Sequence, residues 1–227
     1  DQIARTIGVH EERSELLVMS SAGGLVPYRS YRPKDSLLSG PAGGMVGAAT
    51  IGHQLGHTRL LTLDMGGTST DTARYDDVYD YQFTTQIDGI TMQSPALAIE
   101  TVAAGGGSIC FFDGQKLCVG PESAGADPGP ACYGAGGPLT ITDVNLLLGK
   151  LKPEKMGIPI HRQRAEDALR HLQQEVERQT GQAYPKRELL LGLEKIANEK
   201  MADAIRRISV ARGFDPADYT LLAFGGA

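Results

Sequence analysis

Eight consecutive residues, Asp64-Met65-Gly66-Gly67-Thr68-Ser69-Thr70-Asp71, concentrate the groups that a phosphate needs around it. Gly66 and Gly67 can take positive φ, so the chain can reverse tightly there. They also lack a Cβ that would keep an anion away, so backbone N–H groups can approach phosphate oxygens. Thr68, Ser69 and Thr70 add hydroxyl donors. A carboxylate beside phosphates is repulsive unless a cation lies between them, so Asp64 is the candidate holder of Mg²⁺, directly or through water. Asp64 and Asp71 are the candidate catalytic acids, and Gly66, Gly67, Thr68, Ser69 and Thr70 the candidate phosphate contacts. No Gly-Lys-Ser/Thr follows, so this is not a Walker A loop. The plainer reading is a hairpin whose turn happens to be Gly-Gly-Thr. The flanking acids and the hydroxyl cluster favour phosphate over it.

Two further glycine clusters could border the same site. Gly105-Gly106-Gly107-Ser108 spends more backbone entropy than a simple turn requires. A backbone passing close to a ligand, or to another strand, would account for it, and the sequence alone leaves both open. Gly225-Gly226 ends an apolar run, and a strand ending in glycines lets a flat base or a ribose lie against the backbone. Residues 121–138 are rich in Gly, Pro and Ala, and a long loop inside a compact domain usually serves a site or an interface. Asp127 is the acid of its Ala-Asp-Pro-Gly-Pro-Ala run, with capping of the turn at Pro128 as its plainer role.

The elements that must position these groups follow from periodicity. Residues 60–63 are a short bounded apolar run, as in a buried strand, and residues 70–75 are the return strand. Residues 39–56 predict a helix with Ser39 as its cap and Pro41 in its first turn. Its many small residues would let another backbone approach closely, either in a tight core or where a helix crosses between two lobes. Strands are expected over residues 15–20, 78–86 and 96–103, with residues 26–31 extended and residues 87–95 as loop. Residues 109–112 and 116–119 read as a hairpin about Asp113-Gly114. Thr142 or Asp143 should cap a short helix ending at Gly149. Residues 161–180 carry Ala165, Ala168, Leu169, Leu172 and Val176 on one helical face. Residues 186–212 carry Leu189, Leu193, Ile196, Ala197, Ala204, Ile205 and Ile208 likewise. Gly181 and Gly213 stop these two helices, and a last strand spans residues 219–224. The fold class expected is mixed α/β, one domain over residues 1–227, with the helical pair of residues 161–212 packed on the sheet.

Composition narrows the function classes. The chain has 227 residues, 41% hydrophobic and 22% charged, as in an ordinary soluble protein. A net charge of −5 without a basic cluster argues against nucleic acid and against an anionic membrane surface as partners. No apolar run approaches the ~20 residues that span a bilayer. Cys110, Cys118 and Cys132 have no C-x-x-C spacing, so zinc is disfavoured and buried reduced thiols of a cytoplasmic protein are expected.

The Asp64 stretch resembles a phosphate loop of the actin, sugar-kinase and Hsp70 superfamily. More closely, it is similar to the hydantoinase A and oxoprolinase family. Three other segments carry the same resemblance: Ser39-Gly40-Pro41-Ala42-Gly43-Gly44, Ser123-Ala124-Gly125-Ala126-Asp127-Pro128-Gly129-Pro130-Ala131-Cys132-Tyr133-Gly134, and Ala223-Phe224-Gly225-Gly226-Ala227. It implies a ribonuclease-H-like ATPase fold of the actin/hexokinase/Hsp70 type. In that fold a β-hairpin holds the phosphates, Gly225-Gly226 contact the adenosine of ATP, and the helix of residues 39–56 connects two lobes. The family's earlier Asp-x-Gly-Gly-Thr loop has no counterpart before Ser39, so the segment is expected to be mostly the second, C-terminal lobe of a nucleotide clamp.

The activity implied is ATP-dependent hydrolysis of a cyclic amide such as a hydantoin, 5-oxoproline or a related lactam. An amide carbonyl is a poor electrophile, and moving the γ-phosphoryl group onto its oxygen activates the carbon for water. Mg²⁺ and positioning are the protein's part. The resemblance also implies a hydantoinase B-like subunit or domain as partner, and is compatible with a homo-oligomer. Three alternatives stand beside this reading: an ATP-dependent ketone carboxylase subunit, a small-molecule kinase of the same superfamily, and a non-catalytic interaction segment.

Overall fold

Residues 2–7, 15–87 and 90–226 are described in a computed structural model of the chain. Most of residues 1–13 and Ala227, on which expectations also fell, lie outside them. In chain order the regular elements are α1 (Gln2–Thr6), β1 (Leu17–Met19), β2 (Leu25–Pro27), α2 (Ser39–Gln54), β3 (Arg59–Met65) and β4 (Thr70–Asp76). They continue with β5 (Tyr81–Ile87), β6 (Ile90–Leu97), β7 (Ile99–Val102), β8 (Ser108–Phe112) and β9 (Leu117–Ser123). The last are α3 (Ile141–Leu147), α4 (Arg162–Thr180), α5 (Lys186–Ile208) and β10 (Thr220–Phe224). The mixed α/β class expected from the sequence is the one found.

The site hairpin sits in a four-stranded sheet of order β10-β3-β4-β7. Four residues, 66–69, join β3 to β4. So short a link fits only antiparallel neighbours, since a parallel pair needs a crossover of about a dozen residues. The Gly66 N–H closes the turn on the Ser69 carbonyl at 2.9 Å. Neither Gly66 nor Gly67 takes a positive φ, so of the two sequence-based reasons for these glycines the tight reversal is not the operative one.

The chain divides into two compact units. The first comprises Asp1–Asp64, Thr72–Glu100 and Arg207–Ala223. Its core gathers Ala42 and Met45 of α2, Ala73 of β4 and Leu97 of β6, with Tyr75 and Tyr79 partly covered. Arg74 ties a late segment to it. That buried guanidinium donates to Asp80 Oδ1 at 2.6 Å and to the Tyr219 hydroxyl at 2.9 Å, and lies 3.7 Å from the Phe214 ring centre. Burial opposes its charge, but the Asp80 and Tyr219 partners outweigh that and hold its pKa above the ordinary arginine value.

Helix α2 is capped differently from the expectation. Its N-cap is Leu38, whose side chain has nothing to offer, while the Ser39 hydroxyl donates to the Ser36 carbonyl at 2.9 Å. Of the loop expected over residues 87–95, Ile87 ends β5 and residues 90–95 lie in β6, which pairs antiparallel with β5, while residues 88–89 lie outside the described residues. The polar side chains of Thr91, Gln93 and Ser94 hide the strand. Pro95 is tolerated because both strands of a two-stranded ribbon are edges, where a missing N–H need not break a ladder.

The second unit comprises Met65–Asp71, Thr101–Arg206 and Phe224–Ala227. Helices α4 and α5 bury Leu169, Leu172, Val176, Leu189, Leu190, Leu193 and Ala197 against Cys110, Phe112 and Val119 of the β8–β9 hairpin and Ile141 and Val144 of α3. The helical pair therefore packs chiefly on the hairpin and α3, and of the site strands only Met65 reaches that core. Leu169, Leu172 and Leu193 are buried as the periodicity predicts, and Ile205 is half-buried. The hairpin turn is fixed by Asp113, whose Oδ1 accepts from the Gln115 and Lys116 N–H groups at 2.9 Å each.

Candidate functional site

The glycine run at residues 105–107 is pressed onto the tip of the β3–β4 hairpin. A Cβ on Gly105 would stand 2.5 Å from the Gly66 carbonyl oxygen and 2.8 Å from the carbonyl carbons of Gly67 and Thr68. The Gly106 N–H donates to the Gly66 carbonyl at 3.0 Å and the Gly107 N–H to the Gly67 carbonyl at 2.6 Å. Of the two explanations open for this run, close approach to another backbone is the one observed.

These two bonds fix which way the hairpin's amides point. The peptide bonds here are trans, and in a trans peptide the N–H is directed opposite to the C=O. With the carbonyls of Gly66 and Gly67 held by the glycine run, the N–H groups of Gly67 and Thr68 face the other side. Both residues are exposed there, and a Cβ on Gly67 would meet nothing. Two outward amides, one of them beside a glycine with no side chain, are donors that an anion can approach.

The buttress is itself buttressed. The Gly106 carbonyl accepts from the Thr142 N–H at 2.7 Å and from the Thr142 hydroxyl at 2.9 Å. The Gly107 carbonyl accepts from the Ala124 N–H at 2.8 Å. Thr142 stands at the start of α3, which is capped by Thr140 in a capping box with Asp143, not by Thr142 or Asp143 as expected. Asp143 is the residue the sequence reading undervalued. Fully buried, its carboxylate accepts from Ala131 N–H at 3.1 Å, Cys132 N–H at 2.8 Å, Thr140 N–H at 2.8 Å and the Thr140 hydroxyl at 3.0 Å. One carboxylate thus orders the Gly/Pro loop and the helix start together. Its only signal in the sequence was the Thr-x-x-Asp spacing of a capping box. Asp143→Ala strands those donors, and is expected to cost about 3 kcal/mol of stability, read from the urea midpoint.

The sequence-predicted residues divide into three groups. Gly66, Gly67, Thr68 and Ser69 form the exposed to half-buried tip, with Gly105, Gly106, Gly107 and Ser108 behind it. Ser108 Oγ accepts from the Gly105 N–H at 2.9 Å, which locks the glycine run rather than facing outward. Thr70 is fully buried and its hydroxyl donates to the Ala104 carbonyl, so its proton is committed inside the fold. Asp71 accepts from the Thr101 hydroxyl, and Asp64 is half-buried at the end of β3. At Gly225 φ is +121° and a Cβ would stand 2.2 Å from the Met65 carbonyl oxygen, so strand contact alone explains that glycine. Gly226 is exposed and a Cβ there would meet nothing. Asp127 is exposed on its loop, with no hydrogen bond to the hairpin tip among the described residues.

Burial disfavours the thiolate form of Cys110 and Cys132. All three cysteines are free. Burial pushes the Cys110 thiol far above its ordinary range, and burial with the nearby Asp143 pushes Cys132 up to about 12. Cys118, expected to be buried, is half-exposed. Among the described residues no cluster of three His, Cys, Asp or Glu side chains could hold a metal ion. A Mg²⁺ held by one carboxylate plus substrate phosphates needs no such cluster. No helix among the described residues is long and apolar enough to cross a membrane.

Over residues 1–227 the sequence matches the Hydantoinase/oxoprolinase family. It is 46% identical over 218 residues to the 5-oxoprolinase PfmaA of Pestalotiopsis fici, covering 92% of this chain and 17% of that protein. It is 37% identical over 219 residues to the caprolactamase subunit alpha of Pseudomonas jessenii, covering 91% of this chain and 30% of that one. The solved ATP-dependent caprolactamase of that organism superposes on all of this chain, and on 34% of its own, with a TM-score of 0.82 at 34% identity. A nucleotide-free ATP-dependent acetone carboxylase does so over 32% of its chain with a TM-score of 0.84 at 25% identity. The chain therefore spans under a fifth of the 5-oxoprolinase and about a third of the solved enzymes.

Proposed function

We propose that this chain, which belongs to the hydantoinase/oxoprolinase family, is the nucleotide-binding part of an ATP-dependent cyclic-amide hydrolase. One observation carries the reading. The carbonyls of Gly66 and Gly67 are tied back by Gly106 and Gly107, so the Gly67 and Thr68 amides face an open side that no Cβ guards. Among the described residues nothing would meet a Cβ at residue 67, whereas a phosphate approaching the amides would.

In this reading the γ-phosphoryl group passes to the amide oxygen, ADP leaves, and water adds to the activated carbon. The C–N bond then breaks, the amine taking a proton, and a second water releases phosphate from the acyl phosphate so formed, leaving an opened ring with a free amine and a carboxylate. The hairpin tip and the hydroxyls of Thr68 and Ser69 hold the phosphates, and Asp64 is the residue placed to hold Mg²⁺, which would neutralise their charge. Gly226 is the candidate floor for the adenosine.

Residues 1–227 act in this reading mostly as the second lobe of a clamp, with α2 as the connecting helix. Gly47, Ile51 and Leu55 share one face of that helix. A Cβ on Gly47 would meet nothing, and Ile51 and Leu55 are 54% and 69% exposed, a face suited to a further lobe. The relative's name, subunit alpha, supports a partner subunit, and in this reading the ring is opened there. The reduced thiols fit a cytoplasmic enzyme.

The likeness to an acetone carboxylase favours a second reading, in which the same lobe activates a ketone for carboxylation. Product analysis of the full-length protein with MgATP and a panel of lactams, hydantoins and ketones separates them. One ADP and one phosphate per opened ring is the expected result. ATP turnover that depends on ketone and bicarbonate selects the carboxylase. A phosphorylated alcohol as product would sink both.

A further inference from the structure

Ser123, the last residue of β9, places its hydroxyl against the hairpin tip. Its Oγ accepts from the Gly125 N–H at 3.1 Å and donates to Thr68 Oγ1 at 3.4 Å. A hydroxyl carries one hydrogen, and a threonine oxygen that accepts from a neighbour has its own hydrogen left for a third atom. Thr68 is exposed, as is Gly67 beside it. We propose that Ser123 is a positioning residue that turns the Thr68 hydroxyl outward as a donor to a nucleotide phosphate oxygen. This rests on the reading of residues 66–69 as a phosphate loop.

The surroundings are built for that arrangement. A Cβ on Gly107 would stand 2.9 Å from Ser123 Oγ and 2.9 Å from the Gly67 carbonyl oxygen, so glycine at residue 107 gives the serine and the hairpin room to meet. Ala124, next to Ser123, is anchored by its N–H to the Gly107 carbonyl at 2.8 Å. The serine thus rides on the same glycine run that aims the amides. Gly125 N–H, Ser123 O–H and Thr68 O–H form a donor chain with one direction, and each link polarises the next. The O···O separation of 3.4 Å is long for a hydroxyl pair. An anion at the far end would strengthen the chain and draw it together, so the device acts on phosphate and not on the base.

The test compares MgATP and adenosine binding by calorimetry in the full-length protein and in Ser123→Ala, Ser123→Thr, Thr68→Val and the Ser123→Ala/Thr68→Val pair. Ser123→Ala is expected to weaken MgATP about tenfold and leave adenosine unchanged, with Ser123→Thr recovering most of the loss. Added to Thr68→Val, it is expected to cost less than about twofold more, because the group it orients is already gone. Unchanged MgATP binding in Ser123→Ala, an equal loss for adenosine, or full additivity with Thr68→Val overturns the positioning role while the phosphate loop stands. Absence of MgATP binding in the unsubstituted protein overturns the loop reading itself.

Discussion

Replacing Gly105 with alanine is expected to destabilise the full-length protein by about 3 kcal/mol or more and to lower ATP turnover at least about a hundredfold. Gly67→Ala is expected to leave folding within about 1 kcal/mol while weakening MgATP binding about tenfold or more. The contrast follows from what each new methyl group meets. At residue 105 it would lie 2.5 Å from the Gly66 carbonyl oxygen and 2.8 Å from two further backbone carbons. Backbone cannot swing aside as a side-chain tip can, so the two segments must part. The bonds from Gly106 and Gly107 to the hairpin carbonyls then break, and the amides of Gly67 and Thr68 lose their fixed direction. Catalysis through preorganised donors suffers more from misdirection than from the loss of any single bond.

At residue 67 the methyl meets no atom of the chain and needs no left-handed backbone. Alanine there also narrows the unfolded ensemble, which favours folding by about 0.4–1 kcal/mol. What it obstructs is the approach of an anion to the amides. Urea midpoints and the KM for ATP, measured on both variants, separate the two roles. A Gly105→Ala protein as stable as the natural one would break the buttress account. Gly67→Ala with unchanged ATP affinity would remove the phosphate from it.

The sequence made the hairpin legible because its signals are local. An apolar run, a glycine pair, a hydroxyl-rich return and two acids fall within a dozen residues, and strand propensity agrees with them. Helices α4 and α5 were legible through their periodicity. Three features were not. The bearing of residues 105–107 on residues 66–68 is a contact across nearly forty positions, and three glycines in a row say only that something comes close. Asp143 looked like one more capping residue, since nothing local tells that Ala131 and Cys132, earlier in the chain, fold back onto it. Strand β6 was hidden because a ribbon exposed on its polar positions lacks the apolar content that marks a buried strand. Of the two freedoms read into the glycine pair, positive φ is not used, while a Cβ at residue 67 would meet nothing within 4 Å among the described residues.

Asp64→Asn in the full-length protein is expected to lower ATP turnover by about 10²–10³, corresponding to ~2.7–4 kcal/mol of barrier, by analogy with loss of a preorganised charge-stabilising group. The substitution keeps shape and volume at a half-buried position, removes the charge and turns one acceptor oxygen into an NH₂ donor. Mg²⁺ keeps several of its waters and binds through one or two carboxylates plus phosphates, so one lost carboxylate removes much of what the protein supplies. The Mg²⁺ concentration for half-maximal turnover should therefore rise together with the loss of rate, while the urea midpoint stays within about 1 kcal/mol of the natural value. Asp71 is the comparison within the same hairpin. One of its oxygens accepts from the Thr101 hydroxyl, and asparagine can keep that acceptor. Asp71→Asn is therefore expected to cost less turnover than Asp64→Asn and to leave the Mg²⁺ dependence where it was. Asp64→Asn with natural turnover, or with a shifted urea midpoint and an unshifted Mg²⁺ dependence, would assign Asp64 to the fold and leave the metal to another residue.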